Sequence, residues 1–382
     1  MDDVTTSAAS APALLRIAII EVEDAPRWDG FYAQMVSAFD IVGAAWTRYP
    51  LAKQYSLRRG NDGGLLPPPG SCDAAIITGS HYNVRDKQPW QLCLEAWIRE
   101  THAAGSPRLL GICYGHQIIA HALGGSVDAN PGGTFVLKAE ALMLTTAFSS
   151  LPFARDVVVP VATPSLSNEN NCAHLMPSPP QCLVVDVVDD VADAGALLGA
   201  LRIDPASLLL QQKPSEHAAA SPIDSLVSTS GSENSNGLVS DGIFPGHSEN
   251  VLTDKATLRV TPCLRVLESH GDCVAVLPPG AVLLASSGSC AVEMVAYYGG
   301  GSAAGGSSSQ PPTIVTMQGH PEFELDSCIK ERIWPAVVGE RKRLSEVEQA
   351  EARASFEQPR HSHLLRLLMR RFLAGVSIDA TA

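Results

Sequence analysis

Leu109-Leu110-Gly111-Ile112-Cys113-Tyr114-Gly115-His116-Gln117-Ile118-Ile119-Ala120-His121-Ala122-Leu123-Gly124-Gly125 decides the fold of this chain. Leu109, Leu110 and Ile112 read as a buried strand, while Ile118, Ile119, Ala122 and Leu123 recur at helical spacing. Between them a Gly-x-Cys-x-Gly turn predicts a strand, a sharp turn and a helix, with a thiol at the apex. Glycine suits both flanks, because strand and helix backbones approach there so closely that a Cβ would clash. Cys113 then lies at a helix N-terminus, where unpaired N–H groups and the helix dipole favour a thiolate and can stabilise an oxyanion. Taken alone, the same stretch also fits a buried cysteine in an ordinary β–α turn.

The segments on either side extend the alternation. Leu14–Val22 is a continuous apolar run, as expected of a parallel strand buried on both faces, and Trp28–Phe39 has helical spacing. Ala44–Tyr49 is a second candidate strand, Tyr55–Ser71 a Gly/Pro-rich loop, and Cys72–Thr78 a third strand ending in Gly79-Ser80-His81. Pro89 opens a helix to about Ala104, with Trp90, Leu94, Trp97 and Ile98 on one face. Strands alternating with helices predict right-handed crossovers and an α/β fold: a flavodoxin-like open, mostly parallel sheet with helices on both faces. Its active residues are expected at the C-terminal ends of strands.

Beyond the elbow the pattern changes. Asn130-Pro131-Gly132-Gly133 is a turn and Phe135–Thr145 a strand. Residues from about 160 to 254 are rich in Ser, Ala, Pro and Asn with weak periodicity, and read as a low-complexity insertion. Short apolar pieces within it (Leu183–Val188, Leu197–Leu201, Leu208–Leu210) suit local packing. Ala291–Tyr298 and Thr313–Met317, joined by a Gly/Ser loop at 299–312, read as a hairpin with a lengthened tip. Ile329–Phe372 reads as helical, and its basic amphipathic end suits either a helix covering the sheet or one that meets a partner or membrane. The expected organisation is a tail at 1–13 and one domain over 14–380, interrupted at about 160–254 and at 299–312.

Composition narrows the function classes. A formal net charge of −13 argues against a nucleic-acid or anionic-membrane partner, both of which call for a basic face. No apolar run approaches the ~20 residues of a membrane span. The small, acidic N-terminal stretch lacks the basic and apolar regions of a signal peptide. Nine cysteines, without Cys-x-x-Cys or His-x3-His spacing, fit reduced thiols in a cytoplasm rather than a disulfide framework or a zinc site.

A cysteine nucleophile needs a base, and the base needs a group to orient it. Among eleven histidines, His320 follows the β-run Ile314–Met317 within Gln318-Gly319-His320-Pro321-Glu322. At a strand end it would face the elbow, and Glu322, across a proline that fixes the turn, could hold its tautomer. A surface His-Pro-Glu turn is the alternative for this segment in isolation, and Glu324 is a second candidate for the acid.

Gly111-Ile112-Cys113-Tyr114-Gly115-His116-Gln117 together with Gly319-His320-Pro321-Glu322 resembles the class I (triad) glutamine amidotransferase domains. Further segments match in the family's order. Ile76-Ile77-Thr78-Gly79-Ser80, followed by Val84, Asp86 and Pro89-Trp90, looks like the oxyanion strand of the stand-alone branch, which includes plant γ-glutamyl peptidases and GMP-synthase-like proteins. Ser269-His270-Gly271-Asp272-Cys273-Val274 is similar to the segment lining the glutamine pocket. The resemblance covers roughly 14–151 and 264–333. It implies Cys113 as nucleophile, His320 as general acid/base and Glu322 as its orienter. It also implies an oxyanion hole from Gly79, Ser80 and Tyr114, and γ-glutamyl binding by Gln117, Ser269, His270, Gly271 and Asp272. The chain departs from the family in having Thr-Gly-Ser-His where many members have Gly-Gly-Pro, and in Cys273 where a polar residue is common.

The expected activity is hydrolysis of a γ-glutamyl amide bond through a thioester on Cys113, with a small-molecule substrate and no metal or organic cofactor. Two other functions share these residues: a glutaminase passing ammonia to a separate synthetase subunit, and a non-catalytic interaction protein. An α/β-hydrolase with a cysteine nucleophile is a rival fold, disfavoured because its histidine normally lies far from its acid in sequence. The composition of 160–254 cannot bury enough apolar surface to offset its ordering entropy. A chain lacking that stretch is therefore expected to fold, and limited proteolysis of the full chain to cut there first, leaving two associated fragments. Protease resistance there, with insoluble deletion product, would instead mark a structured subdomain.

Overall fold

The computed structural model describes residues 14–57, 64–155, 158–160, 182–188, 252–253, 256–261, 263–299 and 310–375. In chain order the elements are β1 (Arg16–Ile20), α1 (Phe31–Ala38), β2 (Ala45–Tyr49), α2 (Leu51–Leu57), β3 (Ala74–Ile77), α3 (Pro89–Ala104), β4 (Arg108–Ile112), α4 (Tyr114–Ala122), β5 (Ser126–Ala129), β6 (Val136–Leu144) and α5 (Thr146–Ser149). There follow β7 (Val158–Pro160), β8 (Cys182–Val188), β9 (Leu252–Thr253), β10 (Ala256–Thr261), β11 (Leu264–His270), β12 (Asp272–Val276), β13 (Val282–Ser286), β14 (Met294–Tyr297) and β15 (Ile314–Met317). The chain closes with two helices of wide, π-type winding, α6 (Leu325–Ile333) and α7 (Pro335–Glu340), then α8 (Glu346–Phe356) and α9 (Ser362–Ala374).

The central sheet has nine strands in the order β11-β6-β13-β14-β15-β4-β3-β1-β2. From β15 to β2 every neighbouring pair is parallel, and the order there is that of a flavodoxin-like α/β sheet. β14, β13, β6 and β11 extend this sheet by antiparallel pairing, beginning with the expected hairpin between β14 and β15. Alternate residues of β1 point to opposite sides. Ile17 and Ile19 enter a core with α1, α8 and α9, while Ala18 and Ile20 enter one with α2, α3 and α4. Continuous apolar sequence is what such two-sided burial demands.

Helix α9 buries Leu364, Leu365, Leu368, Met369, Phe372 and Leu373, each with a transfer gain of roughly 1.5–3 kcal/mol that is partly offset by lost rotamer freedom. That face docks the helix on the sheet, and Arg366 on the other side pairs with Glu324 at 3.0 Å. Two local expectations are corrected. Leu51–Leu57 is helix α2, so the loop expected from Tyr55 begins later; Leu51 and Ala52 pack into the second core and override weak local signals. The terminal helical region begins at Leu325 rather than Ile329, winds wide, and breaks before α8, where Ser345 and Glu348 form a capping box. Strands β5 and β12 pair antiparallel, and being short and half-exposed they leave no clear periodic signal in the sequence.

The tail at 1–13 and most of the expected insertion, including Leu197–Leu201 and Leu208–Leu210, lie outside the described residues, as does most of the Gly/Ser loop. Leu183–Val188 falls within β8, which pairs antiparallel with β7. Chain contacts divide the protein into one compact unit of residues 1–186 and 260–382 and a second of 187–259. Within the second, β9 pairs antiparallel with β10. Among the described residues, no helix is long and apolar enough to cross a membrane.

Gly115 is the tightest point of the fold, since a Cβ there would overlap the carbonyl oxygen of Ile77 on β3. Gly339, on the surface of α7, would meet nothing within 4 Å. Gly115→Ala is expected to lower unfolding free energy by about 3 kcal/mol or more through overpacking, whereas Gly339→Ala should be neutral or stabilising by up to ~1 kcal/mol. Urea-denaturation midpoints of the two variants measure the contrast.

Candidate active site

The elbow places Cys113 between β4 and α4 with φ 52° and ψ −104°, a backbone region that side-chain-bearing residues rarely occupy. Its N–H donates to the carbonyl of Met317 at 2.8 Å, and its carbonyl accepts from the N–H of Gln117 at 3.0 Å, so both peptide groups are anchored. A Cβ at Gly111 would lie 2.7 Å from the carbonyl oxygen of Gly115, which confirms why the turn is flanked by glycine.

Strand β15 runs beside β4, so the residues just past its end arrive next to the elbow. There the N–H of His320 donates to the carbonyl of Leu267 at 2.8 Å. Nδ1 of His320 lies 2.8 Å from Oε1 of Glu322, which leaves Nε2 as the nitrogen free to face the thiol. Phe323 stacks on the ring at 3.8 Å and 5°, restricting its rotation. Cys113, His320 and Glu322 are all buried, and all line one cavity. Burial, the largest single influence on His320, disfavours its charge. The negative charges of Glu322 and Cys113, with their hydrogen bonds, outweigh it and push the imidazole pKa up to about 10.

Further groups surround the sulfur. Ser269 offers its carbonyl at 3.9 Å, and Nε2 of the fully buried Gln318 reaches Sγ at 3.5 Å. Gln117 donates through Nε2 to the carbonyl of Asp272 at 2.9 Å and to Oε1 of Gln318 at 3.0 Å. On the opposite side, a Cβ at Gly79 would stand 3.1 Å from Cε1 of His320 and 3.5 Å from Cβ of Cys113, so this backbone passes close to both. Ser80 is tied down by its hydroxyl, which donates to the carbonyl of Val22 at 2.6 Å. Tyr114, as first residue of α4, has an N–H without an intrahelical partner, and its phenol accepts from Gln91 at 2.7 Å.

A cavity of about 650 Å³ opens over these groups, and Gly79, Ser80, Cys113, Gln117, Ser269, His270, Gly271, Asp272, His320 and Glu322 all line it. Of the residues singled out from sequence, Tyr114 alone does not, because its side chain points into the core beneath. Nδ1–H of His270 donates to the carbonyl of Asp272 at 3.1 Å, and burial pushes the ring's pKa down to about 4, so it is neutral. Asp272 is held by Arg85 at 3.1 Å and by Asn83. Its pKa is raised, burial outweighing the nearby Arg85 and the bond from Asn83.

Several of these residues went unassigned in the sequence. Gln318 stands inside the quoted Gln-Gly-His-Pro-Glu segment, and its position two residues before His320 is the available signal. Asn83, Arg85, Trp28 and Phe323 had none, since only the tertiary fold brings them to the cavity. Glu268 and Glu293 are buried beside His270. Burial first, and then the other carboxylates around them, raises both, Glu293 to about 7, so this group holds protons more readily than two full charges. Among the described residues, Glu268, His270 and Glu293 bring potential ligand atoms within 4.8 Å of one another, as do Glu23, Asp24 and His81.

Residues 70–152, which carry the β3 segment and the elbow, match the family model for glutamine amidotransferase class-I. A glutamine amidotransferase-like protein of Gibberella zeae is 37% identical over 78 residues, 20% of this chain and 32% of that protein. A candidate glutamine amidotransferase of Saccharomyces cerevisiae is 45% identical over 60 residues, 15% of this chain and 24% of its own. The matched stretch therefore spans a third or less of either relative's length. A glutamine amidotransferase of known structure from Thermotoga maritima aligns over 94% of this chain and 99% of its own, at 13% identity and a TM-score of 0.44. Over residues 70–152 the chain is thus similar to class I glutamine amidotransferases.

Proposed function

We propose that this protein hydrolyses the amide bond of glutamine or of a γ-glutamyl conjugate, with Cys113 as nucleophile. The observation that carries the proposal is the buried grouping of Cys113, His320 and Glu322, at the floor of a cavity large enough for a small-molecule substrate. Sγ attacks the γ-carbonyl carbon, and the carbonyl electrons move to oxygen, which the N–H groups of Ser80 and Tyr114 stabilise. As the tetrahedral centre collapses, the C–N bond breaks and Nε2–H of His320 protonates the departing amine. Water, deprotonated by the same nitrogen, then cleaves the γ-glutamyl thioester and frees the thiol. Gln117 and the Ser269–Asp272 segment hold the α-amino and α-carboxyl groups. Glu322 holds the imidazole in the tautomer whose Nε2 faces sulfur.

Cys113→Ala is expected to abolish release of ammonia from glutamine, or of amine from a γ-glutamyl conjugate, by the purified chain alone. Circular dichroism should remain that of the native protein. After treatment with a diazoketone analogue of glutamine, mass spectrometry should place the adduct on Cys113. Turnover by the alanine variant at the wild-type rate would remove Cys113 from the role of nucleophile.

Glu322→Gln removes the largest influence that favours the imidazolium. The maximal rate is expected to fall at least ~10-fold, about 1.4 kcal/mol of transition-state stabilisation, with little change in substrate affinity. Because His320 is raised from its ordinary value of 6.5 to about 10, its proton is retained at neutral pH and lost as pH rises through about 10. The alkaline limb of kcat/KM should therefore lie near 10 in the wild type and move to lower pH in Glu322→Gln. By linkage, the stability contributed by charged His320 is complete below 6.5 and lost as pH rises through about 10. Adding Glu322→Gln to His320→Ala should cost little more than His320→Ala alone, since the two act as one unit. Simple addition of the two losses would direct the search for the acid to Glu324.

A further inference from the structure

We propose that the cavity contains an anion-binding subsite on the leaving-amine side, centred on Arg332 and rimmed by Arg341 and Arg343. The preferred substrate is accordingly a γ-glutamyl amide whose amine portion ends in a carboxylate. This rests on the hydrolase assignment above and specifies its substrate class.

Charge distribution is the first observation. The chain carries a formal net charge of −13, yet its active-site cavity is lined by Arg27, Arg85, Arg332, Arg341 and Arg343 against Glu23, Asp272 and Glu322. Each of those acids is engaged: Glu23 with His81 at 2.6 Å, Asp272 with Arg85, and Glu322 with His320. Arg85 is matched by Asp128 and Asp272, and Arg27 by Glu340 at 3.3 Å. Among the described residues, Arg332, Arg341 and Arg343 have no carboxylate within ion-pair distance, and these three remain as the positive charge of the cavity.

Placement is the second. Phe323 stacks on His320 at 3.8 Å, Trp28 stacks on Phe323 at 5.4 Å and 15°, and the guanidinium of Arg332 lies over Trp28 at 5.4 Å. An aromatic wall therefore leads from the group that protonates the leaving amine to a cation fixed at its far end. The substituent on that amine must depart past His320, along this wall. Nη1 of Arg332 is buried and has no hydrogen-bond acceptor among the described residues, a costly state for a charged donor and one that an incoming carboxylate resolves.

The rim follows from the backbone. α7 ends with the N–H of Arg341 bonded to the carbonyl of Ala336 and that of Arg343 to the carbonyl of Val337, while Lys342 between them takes a left-handed φ of 48°. The reversal at Lys342 leaves Arg341 and Arg343 both lining the cavity, beside Arg332 from α6. The cavity, at about 650 Å³, exceeds what free glutamine requires and admits such an extension.

The test compares γ-glutamyl-alanyl-glycine with its C-terminal amide, and both with glutamine, as substrates of the full chain. For the wild type, kcat/KM for the acid should exceed that for the amide by about 10-fold or more, and the ratio should shrink as salt rises. Arg332→Gln should bring the ratio close to unity, Arg332→Lys should restore part of it, and Arg343→Gln should lower it to a smaller degree. Because acid and amide are compared on the same protein, a general loss of folding or rate does not move the ratio. Turnover of acid and amide with equal kcat/KM by the wild type overturns the subsite and leaves the hydrolase assignment standing, as does a ratio unchanged in both Arg332→Gln and Arg343→Gln. Failure of the wild type to cleave any of the three overturns the hydrolase assignment and the subsite with it.

Discussion

Helix α4 lies so close to strand β3 that there is no room for a side chain at Gly115 against the carbonyl of Ile77, and the rest of the site depends on that approach. With the helix held there, the chain leaving β4 has a single residue in which to turn. That residue is Cys113, forced to a positive φ and fixed through both of its peptide groups. Strain of this kind costs on the order of 1–3 kcal/mol and persists only where the surroundings over-determine the backbone. Here they do, since β4 is flanked by β3 and β15 and covered by helices on both faces. The thiol is consequently presented at the C-terminal end of a central strand, at the first turn of α4.

The same approach explains how distant segments meet. β15 pairs in register with β4, Met317 opposite Ile112, so the residues following each strand emerge side by side. His320 is then held by a backbone bond to Leu267 on one side and by Phe323 and Glu322 on the other. Gln318 and Gln117 continue the network to the Asp272 carbonyl, linking Cys113 to the cavity wall through side-chain amides that carry no charge.

Burial acts on the histidines in opposite directions according to their partners. His116, in α4, is bonded to Thr316 and to the carbonyl of Val292, and burial pushes its pKa down to about 3, so it serves the packing of helix on strand as a neutral ring. His270 is likewise lowered, for want of a stabilising carboxylate strong enough to offset burial. His320 is as buried as either, but the charges of Glu322 and Cys113 reverse the outcome. One residue type in one neighbourhood thus supplies two neutral scaffolding groups and one imidazolium, and the hydrogen-bond partner makes the difference.

The sequence by itself determined those features whose cause is local. Two glycines around a cysteine require the elbow, continuous apolar runs require a sheet covered on both faces, Pro89 and the Trp90-Leu94-Ile98 face require α3, and His-Pro-Glu at a strand end places an acid within reach of a base. What only the tertiary structure decided depends on segments far apart in the chain. Helix α2 forms because Leu51 and Ala52 find a core that includes Leu65 and Trp90, which no local pattern announces. Arg85 and Asn83 clamp Asp272 across nearly two hundred residues of sequence, and the wall of Phe323, Trp28 and Arg332 joins the two ends of the sheet-forming chain. Periodicity and motif spacing record which way a side chain faces along its own element; which other element it meets there is set by strand order and packing, and these are properties of the folded chain alone.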